Sequence, residues 1–290
     1  MTRSSREVNM GTLELDDGTL HYEVIGQGSG PRAVCMGGWG TYCHGGEGDI
    51  PRAITSRFET LVFDYRGLGS SVDRRESAQS MQGYAADVIA LFDHLGWDSA
   101  NVVGLVGMGA CIGQELAIGW PERVRSLVMT GTWARCDATL RDILELFVEV
   151  HRSSGWEQFQ KMAAAFSFEP KFYGSHRSRV LGETGAWSDL HGRWEAHARL
   201  VEACIEHDAL GRLELVRAPS LVLHAGQDVI TGPRYTLELE KNIPGCKGEW
   251  IEEAAHVLAG RERRAAFDAL LHSFFDTVVA GERSEINSPR

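Results

Sequence analysis

Short apolar runs alternate with helical patterns along the first half of the chain. Residues 32–36 and 60–64 are apolar runs of strand length, and a third run at 101–106 leads directly into a glycine-rich turn. Between the last two runs, residues 81–95 carry apolar side chains at the spacing of one helix face. Short, fully apolar strands that alternate with helices are typical of a sheet that is covered on both faces. The pattern therefore predicts an α/β fold with a mostly parallel sheet flanked by helices.

The same pattern continues at both ends of this series. Residues 12–26 alternate between apolar and polar positions and break at Asp16-Asp17-Gly18, which predicts a β-hairpin. Further strands are predicted at residues 125–130, 220–224 and 247–252, and further helices at 111–119 and 261–278.

The strand signal disappears between the strands at 125–130 and 220–224. Residues 134–213 have helical periodicity and many large aromatic side chains, which predicts a helical cap, or lid, inserted into the core. Aromatic residues at this spacing usually form the interior of a lid, but rings above a pocket also suit a sizeable, flat or apolar ligand. The predicted organisation is a core in two parts (1–133 and 214–280), the cap (134–213) and a disordered polar tail (281–290).

The charge balance excludes several classes of partner. The formal net charge is −11, whereas binding to nucleic acid or to an anionic membrane requires a basic surface. The chain has no apolar run near the roughly 20 residues that span a bilayer, and its first residues lack the apolar segment of a signal peptide. We therefore expect a cytoplasmic protein that acts on a small molecule, without nucleic acid or membrane as partners.

The cysteines and histidines do not form a recognisable ligand pattern. The 6 cysteines are scattered without CxxC spacing, which is typical of free thiols in a reducing cytoplasm. His191, His197 and His207 fall in one charged helical stretch, and a solvated face explains them. The sequence thus indicates no metal site. The glycines at 104–113 do not match the dinucleotide pattern either, so no cofactor is expected.

Glycine-rich and polar motifs follow several of the predicted strands. One apolar strand ends in Gly37-Gly38-Trp39, and the next ends in Asp64-Tyr-Arg-Gly-Leu-Gly-Ser-Ser. Asp228 follows a later strand, and His256 follows the last one. In this order the motifs resemble those of the α/β-hydrolase superfamily, and the resemblance covers residues 12–278.

The resemblance implies the α/β-hydrolase fold and a set of site residues. Asp228 and His256 correspond to the acid and the histidine of the family's catalytic triad. The backbone N–H groups of Trp39 and Met108 correspond to its oxyanion hole. The position of the nucleophile, which is usually serine, corresponds to Gly107, which has no side chain that could attack a substrate. Further contacts to the substrate are expected from Gly38, Trp133 and Cys111.

Three residues compete for the position of the nucleophile. Counting back from Pro121 by the family's usual distance gives Gly107, whereas counting forward from Leu95-Gly96 gives Val106. The third is Cys111, because residues 109–113 match the pattern G-x-C-x-G, although a cysteine one turn into a helix is more typical of buried packing. The apolar strand is predicted to end at Val106, which favours Gly107 at the sharp turn where the family's nucleophile lies.

Three functions are compatible with these residues. In the first, which we favour, His256 is oriented by Asp228 and acts as a general base in noncovalent chemistry. Cyclisation, elimination, C–C bond chemistry or direct attack by water on a fairly large apolar or aromatic carbonyl substrate would fit, for example in natural-product biosynthesis. The second is a non-catalytic ligand-binding protein, because residues 107–112 are also similar to the turn of the N-myc downstream-regulated family. The third is a small-molecule hydrolase that uses Cys111. A homodimer is kept open, because edge strands and lids often mediate dimers in this fold.

Overall fold

The computed structural model describes residues 9–26, 30–75 and 78–286. Its strands are β1 (Asn9–Leu15), β2 (Gly18–Gly26), β3 (Arg32–Met36), β4 (Glu59–Phe63), β5 (Val72–Asp73), β6 (Ala100–Gly104), β7 (Val124–Thr130), β8 (Ser220–Ala225) and β9 (Lys247–Ile251). Its α-helices are α1 (Arg52–Thr55), α2 (Met81–His94), α3 (Met108–Gly119), α4 (Ala138–Ser154), α5 (Trp156–Ser167), α6 (Pro170–Val180), α7 (Trp194–Ile205), α8 (Pro233–Asn242) and α9 (Arg261–Ile286). Short 3₁₀ helices occupy Gly46–Asp49, Pro121–Arg123, Ser188–Leu190 and Leu210–Leu215.

The strands form one twisted sheet in the order β1-β2-β4-β3-β6-β7-β8-β9, and β5 pairs with β2. Strands β4, β3, β6, β7, β8 and β9 each pair in parallel with the next strand in this order. Strands β1, β2 and β5 form an antiparallel end of the sheet. The architecture is therefore the mostly parallel α/β sheet that the apolar runs predict.

Alternate strand residues contribute to two hydrophobic clusters, one on each face of the sheet. Val34 and Val102 belong to the cluster that includes residues of α2, α3 and the helices between β7 and β8. Their chain neighbours Ala33 and Val103 belong to the second cluster, together with Phe275 of α9. Because both faces are covered, the central strands are mostly apolar, which is the property that made them visible in the sequence.

The carboxyl ends of the parallel strands meet at one edge of the sheet, where ligands bind in open α/β folds. Gly37 follows β3 at this edge, Leu105 follows β6, and Gly131 follows β7. The loops after β8 and β9 carry Asp228 and His256. The fold thus brings five separate chain segments to one place.

Helices α4 to α7 lie between β7 and β8, where the sequence predicts the cap. Helix α4 begins after Asp137, whose side chain accepts a hydrogen bond from the N–H of Leu140 at 2.9 Å, as an N-cap does. Its buried face includes Leu140, Leu144 and Phe147, at helical spacing. The division of the chain into a core and a cap domain remains a prediction.

Several boundaries differ from the sequence-based expectation. Strand β6 ends at Gly104 rather than at Val106, and α3 begins at Met108 rather than at residue 111. Helix α3 begins early because the carbonyl of Gly107 accepts hydrogen bonds from the N–H groups three and four residues ahead, at 3.0 and 3.1 Å. The short elements β5, α1 and α8 were not predicted.

The last helix, α9, continues through 281–286, which the sequence assigns to a disordered tail, and residues 287–290 lie outside the described residues. Among the helices of residues 9–26, 30–75 and 78–286, none is long and apolar enough to cross a bilayer.

The histidines of the cap correct one expectation from the sequence. His191 is exposed, but His197 and His207 are buried rather than part of a solvated face. His197 packs edge-on against Trp39, and its Nδ1 lies 3.2 Å from Nδ1 of His151. Burial, together with the proximity of His151, lowers the pKa of His197 to about 3. His197 is therefore a neutral member of the core, which helical periodicity alone does not reveal.

Candidate active site

The chain turns sharply between β6 and α3, and Gly107 lies at the turn. Gly107 has φ 71° and ψ −103°, a conformation that side chains adopt only under strain, and it precedes the first residue of α3. The adjacent Val106 also has a positive φ, of 58°. The turn between β6 and α3 thus has three residues, of which Val106 and Gly107 have a positive φ.

The end of β7 holds this turn in place through three hydrogen bonds. The backbone N–H of Val106 donates to Oγ1 of Thr130 at 3.1 Å, and the N–H of Gly107 donates to the carbonyl of Thr130 at 3.3 Å. The hydroxyl of Thr132 donates to the carbonyl of Gly107 at 3.2 Å. The backbone at Gly107 is therefore fixed by its neighbour strand and is not a free loop.

His256 and Asp228 lie in hydrogen-bond contact at the same edge of the sheet. Nδ1 of His256 is 3.0 Å from Oδ2 of Asp228 and 3.0 Å from Oγ1 of Thr231. Oδ1 of Asp228 accepts hydrogen bonds from the N–H groups of Ile230 and Thr231, both at 2.8 Å, and the Thr231 hydroxyl donates to Oδ2 at 2.9 Å. The carboxylate is thus held by the turn that follows β8, and it in turn orients the imidazole.

The environment of Asp228 favours its charged form. Burial alone would raise the pKa of this carboxyl group, but the positive charge of His256, the hydrogen bond to it and the N–H groups of Thr231 and Ile230 together hold the pKa below its ordinary value. A charged Asp228 requires a proton on Nδ1 of His256, which leaves Nε2 with the lone pair of a base.

A cavity between the sheet edge and the cap contains both Gly107 and His256. Its empty volume is about 450 Å³, counted out to its opening. Most of its lining is apolar, and Ser167 is the polar side chain that joins His256. The lining residues are Gly38, Trp39, Val106, Gly107, Met108, Trp133, Leu144, Phe147, Ala163, Ser167, Trp187, Ile230 and His256.

Backbone donors at the cavity wall come from two segments. Met108 is the first residue of α3, and the N–H groups of a helix's first turn have no acceptor within the helix. The partial positive charge of a helix N-terminus adds to their affinity for a negative oxygen. Trp39, from the loop after β3, lines the same cavity. The two residues expected to form an oxyanion hole are therefore both present at the wall that His256 shares.

The predicted contact residues separate into two groups. Gly38 and Trp133 line the cavity, whereas Cys111 is not among its lining residues within the described chain. Cys111 is completely buried in α3, and its Sγ is 3.3 Å from Oγ1 of Thr132. Burial raises the pKa of this thiol well above its ordinary value, which suppresses the reactive thiolate. The cysteine thus has the surroundings of a packed core residue.

Comparison with known proteins agrees with this architecture. A family model described as serine aminopeptidase, S33, a hydrolase family, matches residues 52–263. The chain belongs to this family. Its membership, together with the sheet order, confirms the predicted α/β-hydrolase fold.

Individual relatives extend over nearly the whole chain. The protein named "Putative carbamate hydrolase RutD" of Azorhizobium caulinodans is 28% identical over 275 residues, which cover 93% of this chain and 97% of the relative. The "3-oxoadipate enol-lactonase 2" of Acinetobacter baylyi is 28% identical over 220 residues, which cover 76% of this chain and 80% of the relative. The crystal structure of the enol-lactonase from Burkholderia xenovorans LB400 has a TM-score of 0.79 at 22% identity and covers 92% of this chain and 100% of its own, which shows a shared fold.

About half of the cavity wall in this α/β hydrolase consists of residues that no sequence motif marks. Ser167, at the end of α5, and Ile230, in the turn after Asp228, carry no motif that marks them as site residues. Phe147 and Trp187 belong to the aromatic residues of the predicted cap, but helical spacing does not tell which rings face a cavity. Which rings face the cavity depends on how the cap packs on the sheet edge.

Proposed function

We propose that this protein is an enzyme that uses His256, oriented by Asp228, as a general base, without a covalent intermediate at position 107. One observation carries the proposal: the oriented histidine lines the same cavity as a strand-to-helix turn whose residue, Gly107, has no side chain to attack a substrate. A dyad of this kind contributes about 10²–10⁴-fold to a rate without any nucleophilic side chain.

Direct attack by water is the reaction that this arrangement supports best. Nε2 of His256 takes a proton from water while the water oxygen bonds to the carbonyl carbon of the substrate, and the carbonyl π electrons move onto its oxygen. The N–H groups of Trp39 and Met108 stabilise that negative oxygen, each by about 3 kcal/mol. When the carbonyl re-forms, the bond to the leaving group breaks, and the leaving group takes the proton from His256.

The names of the relatives and the lining of the cavity together limit the class of substrate that we propose. The relatives' names describe hydrolases of a carbamate and of an enol-lactone, both of which are carbonyl compounds. Trp39, Trp133 and Trp187 give this cavity flat apolar walls. We therefore propose an apolar or aromatic carbamate, ester or lactone of modest size. Deprotonation of an acidic C–H or N–H by His256, followed by elimination or cyclisation, is the second reaction that the same dyad supports.

The test is hydrolysis of para-nitrophenyl acetate and para-nitrophenyl N-methylcarbamate by the purified protein, followed by mass spectrometry of the intact chain. We expect steady turnover without an initial burst, no acyl adduct, and a loss of at least about 100-fold in His256→Gln. Cys111→Ser is the matched control, because Cys111 lies outside the cavity lining, and it should retain the parent rate.

Three results contradict the proposal. An acyl adduct on any residue of the parent protein would show a covalent mechanism, with Cys111 as the first residue to examine. Equal rates of the parent and His256→Gln would show that the histidine does not act as a base. Tight binding of unchanged probe without turnover would favour the alternative of a ligand-binding protein. A small-molecule substrate, a cytoplasmic location, a homodimer and a role in biosynthesis remain predictions.

A further inference from the structure

A second group of chemically active side chains lies at the sheet edge and is not used by the His256–Asp228 dyad. His21 and Glu23 project from β2, Asp64 follows β4, and Cys43 and His44 lie in the loop after β3. We refer to these five residues as the His21 cluster. Asp64, Glu23 and Cys43 are buried, whereas the His44 side chain is 41% exposed. The cluster is therefore open to solvent on the His44 side only.

The donor atoms of the cluster lie close together. Nε2 of His44 is 2.8 Å from Oδ2 of Asp64, and the imidazole rings of His21 and His44 stack with centroids 4.9 Å apart. One donor atom from each of His21, His44 and Asp64 lies within 4.8 Å of the other two. The same holds for the second combination, His21, Glu23 and Cys43.

Two donor atoms of the cluster are buried without a partner among the described residues. Oδ1 of Asp64 has no hydrogen bond, although Oδ2 of the same carboxylate accepts from His44 and from the N–H of Ser70. Nε2 of His21 also has none, and Oε1 of Glu23 lies 3.6 Å away. Buried polar atoms nearly always have a partner, so these two require an explanation beyond the protein's own hydrogen bonds.

We propose that His21, His44 and Asp64 bind one divalent transition-metal ion of the zinc class. Imidazole nitrogen with carboxylate oxygen is a ligand set of such ions, whereas magnesium and calcium prefer oxygen alone. A tetrahedral ion with bonds of about 2.1 Å places its ligand atoms roughly 3.4 Å apart, well within the 4.8 Å limit that these three atoms satisfy. The ion takes a lone pair from Nε2 of His21 and from the unpartnered oxygen of Asp64.

The position of the site gives the ion a structural role. His44 belongs to the loop that begins with Gly37 and carries Trp39, and Asp64 and His21 belong to the neighbouring strands. A bound ion joins this loop to β2 and β4 and restricts its motion. Because the in-plane lone pairs of two stacked imidazole rings do not meet at one ion, binding requires the His44 side chain, which is 41% exposed, to rotate from its contact with Asp64 toward the ion.

The experiment is a competition titration of the purified, chelator-treated protein with Zn²⁺ against a chromophoric chelator. We expect one tight site per chain in the parent and binding weakened by at least about 100-fold in His44→Gln. The matched control is His272→Gln, which removes an exposed histidine of α9 far along the chain from the cluster and should bind as the parent does. Equal affinities of the parent and His44→Gln would overturn the proposal.

Cobalt spectroscopy of the unaltered protein provides a test that needs no variant. Co²⁺ bound by His21, His44 and Asp64 gives the visible bands of a low-coordinate nitrogen–oxygen site without a thiolate-to-cobalt charge-transfer band. The appearance of that band would assign the ion to Cys43 and overturn the proposed ligand set. Absence of any spectral change on addition of Co²⁺ would overturn the site itself.

Discussion

Gly131 lies close against His256, so that a side chain at position 131 would force its neighbours to shift by a few tenths of an ångström. A Cβ atom there would lie 3.2 Å from Nδ1 and 3.3 Å from Cε1 of the His256 ring. Gly131 also has φ 56°, which other residues adopt only at a cost. The glycine after β7 thus helps to determine how closely the imidazole approaches the sheet edge. The hydrogen bond between His256 and Asp228 is the second contact that positions the ring.

This contact predicts that Gly131→Ala lowers turnover more than its effect on stability explains. The added methyl group forces the ring to shift by a few tenths of an ångström, and this lowers the rate because even a 1 Å misplacement of a catalytic group costs about 100-fold. Gly155→Ala is the matched control, because Gly155 also has a positive φ, 81°, but its added Cβ meets nothing within 4 Å. Both variants should lose about 1–2 kcal/mol in urea unfolding. Unchanged turnover of Gly131→Ala on the parent's best probe would contradict the argument.

Asp228→Asn should reduce turnover by about 10²–10⁴-fold with little change in KM. The amide cannot stabilise a positive charge on His256, and its NH₂ group favours the opposite tautomer, which places the proton on Nε2. Asp142→Asn is the control, since Asp142 is exposed on α4. Steady-state kinetics of the three proteins measure the effect. A rise in KM with an unchanged turnover number would assign Asp228 to substrate binding instead.

His197 predicts a specific dependence of stability on pH. Its pKa is about 3 in the folded protein, compared with an ordinary value of 6.5, because burial disfavours its charged form. Below pH 6.5 the unfolded chain therefore binds a proton that the folded chain does not, and stability falls as the pH falls. Above pH 6.5 the residue contributes no pH dependence. Between pH 6.5 and about 5 the loss is about 2 kcal/mol.

Urea unfolding at several pH values measures this loss. His197→Gln should unfold with a smaller decrease over the same interval, because the proton uptake of the unfolded state is missing. His176→Gln, at an exposed position of α6, should follow the parent. If the parent and His197→Gln lose the same free energy between pH 6.5 and about 5, another group is responsible.

Substitutions at Gly107 separate the roles of backbone and side chain at the turn. A Cβ at this position would lie 3.4 Å from Cζ3 of Trp133, an ordinary contact, so alanine fits at the cost of its positive φ. We expect Gly107→Ala to retain turnover within a few-fold, because the proposed mechanism uses no side chain there. Its free energy of unfolding should fall by about 1–2 kcal/mol.

Gly107→Ser tests whether the turn has the geometry of a nucleophile position. The serine would share the cavity with His256, which could take its proton, so an activated ester should leave an acyl group on residue 107. Mass spectrometry of the modified peptide detects it, and the double variant Gly107→Ser/His256→Gln should show none. A folded Gly107→Ser protein without any adduct would place the reactive position elsewhere, with Val106 as the neighbouring candidate.

The sheet could be predicted because the residues of a strand reflect whether its two faces are buried. Val102 and Val103 are both apolar since both faces of β6 are covered, and this needs no knowledge of the partner strand. Ends of elements were less predictable: Leu105 and Val106 are apolar but belong to the turn, because the carbonyl of Gly107 begins the helix. Hydrophobicity does not encode that hydrogen bond.

The candidate site could be predicted only in part, for a similar reason. Asp228 and His256 follow strands whose ends meet, so their proximity follows from topology. Ser167 ends helix α5 and Trp187 lies in the turn before the 3₁₀ helix Ser188–Leu190, and no short motif records how these segments pack on the sheet edge. The sequence does not reveal the burial of His197 because charged residues lie two positions away on each side, while the rings that cover it come from Trp39 and Phe159.

The pairing of β7 with β8 has a consequence for how this protein can evolve. Leu127 pairs with Ser220, so the chain leaves the sheet and returns to it on adjacent strands, with helices α4 to α7 between them. The pairing of β7 with β8 holds both ends of the inserted segment together. The register of this pairing does not depend on the sequence of the inserted helices. Mutations in the intervening helices can therefore alter the part of the cavity wall that these helices form, while the sheet keeps His256 and Asp228 in place. The helices that form part of the cavity wall and the residues of the proposed dyad are thus encoded in separate parts of the gene.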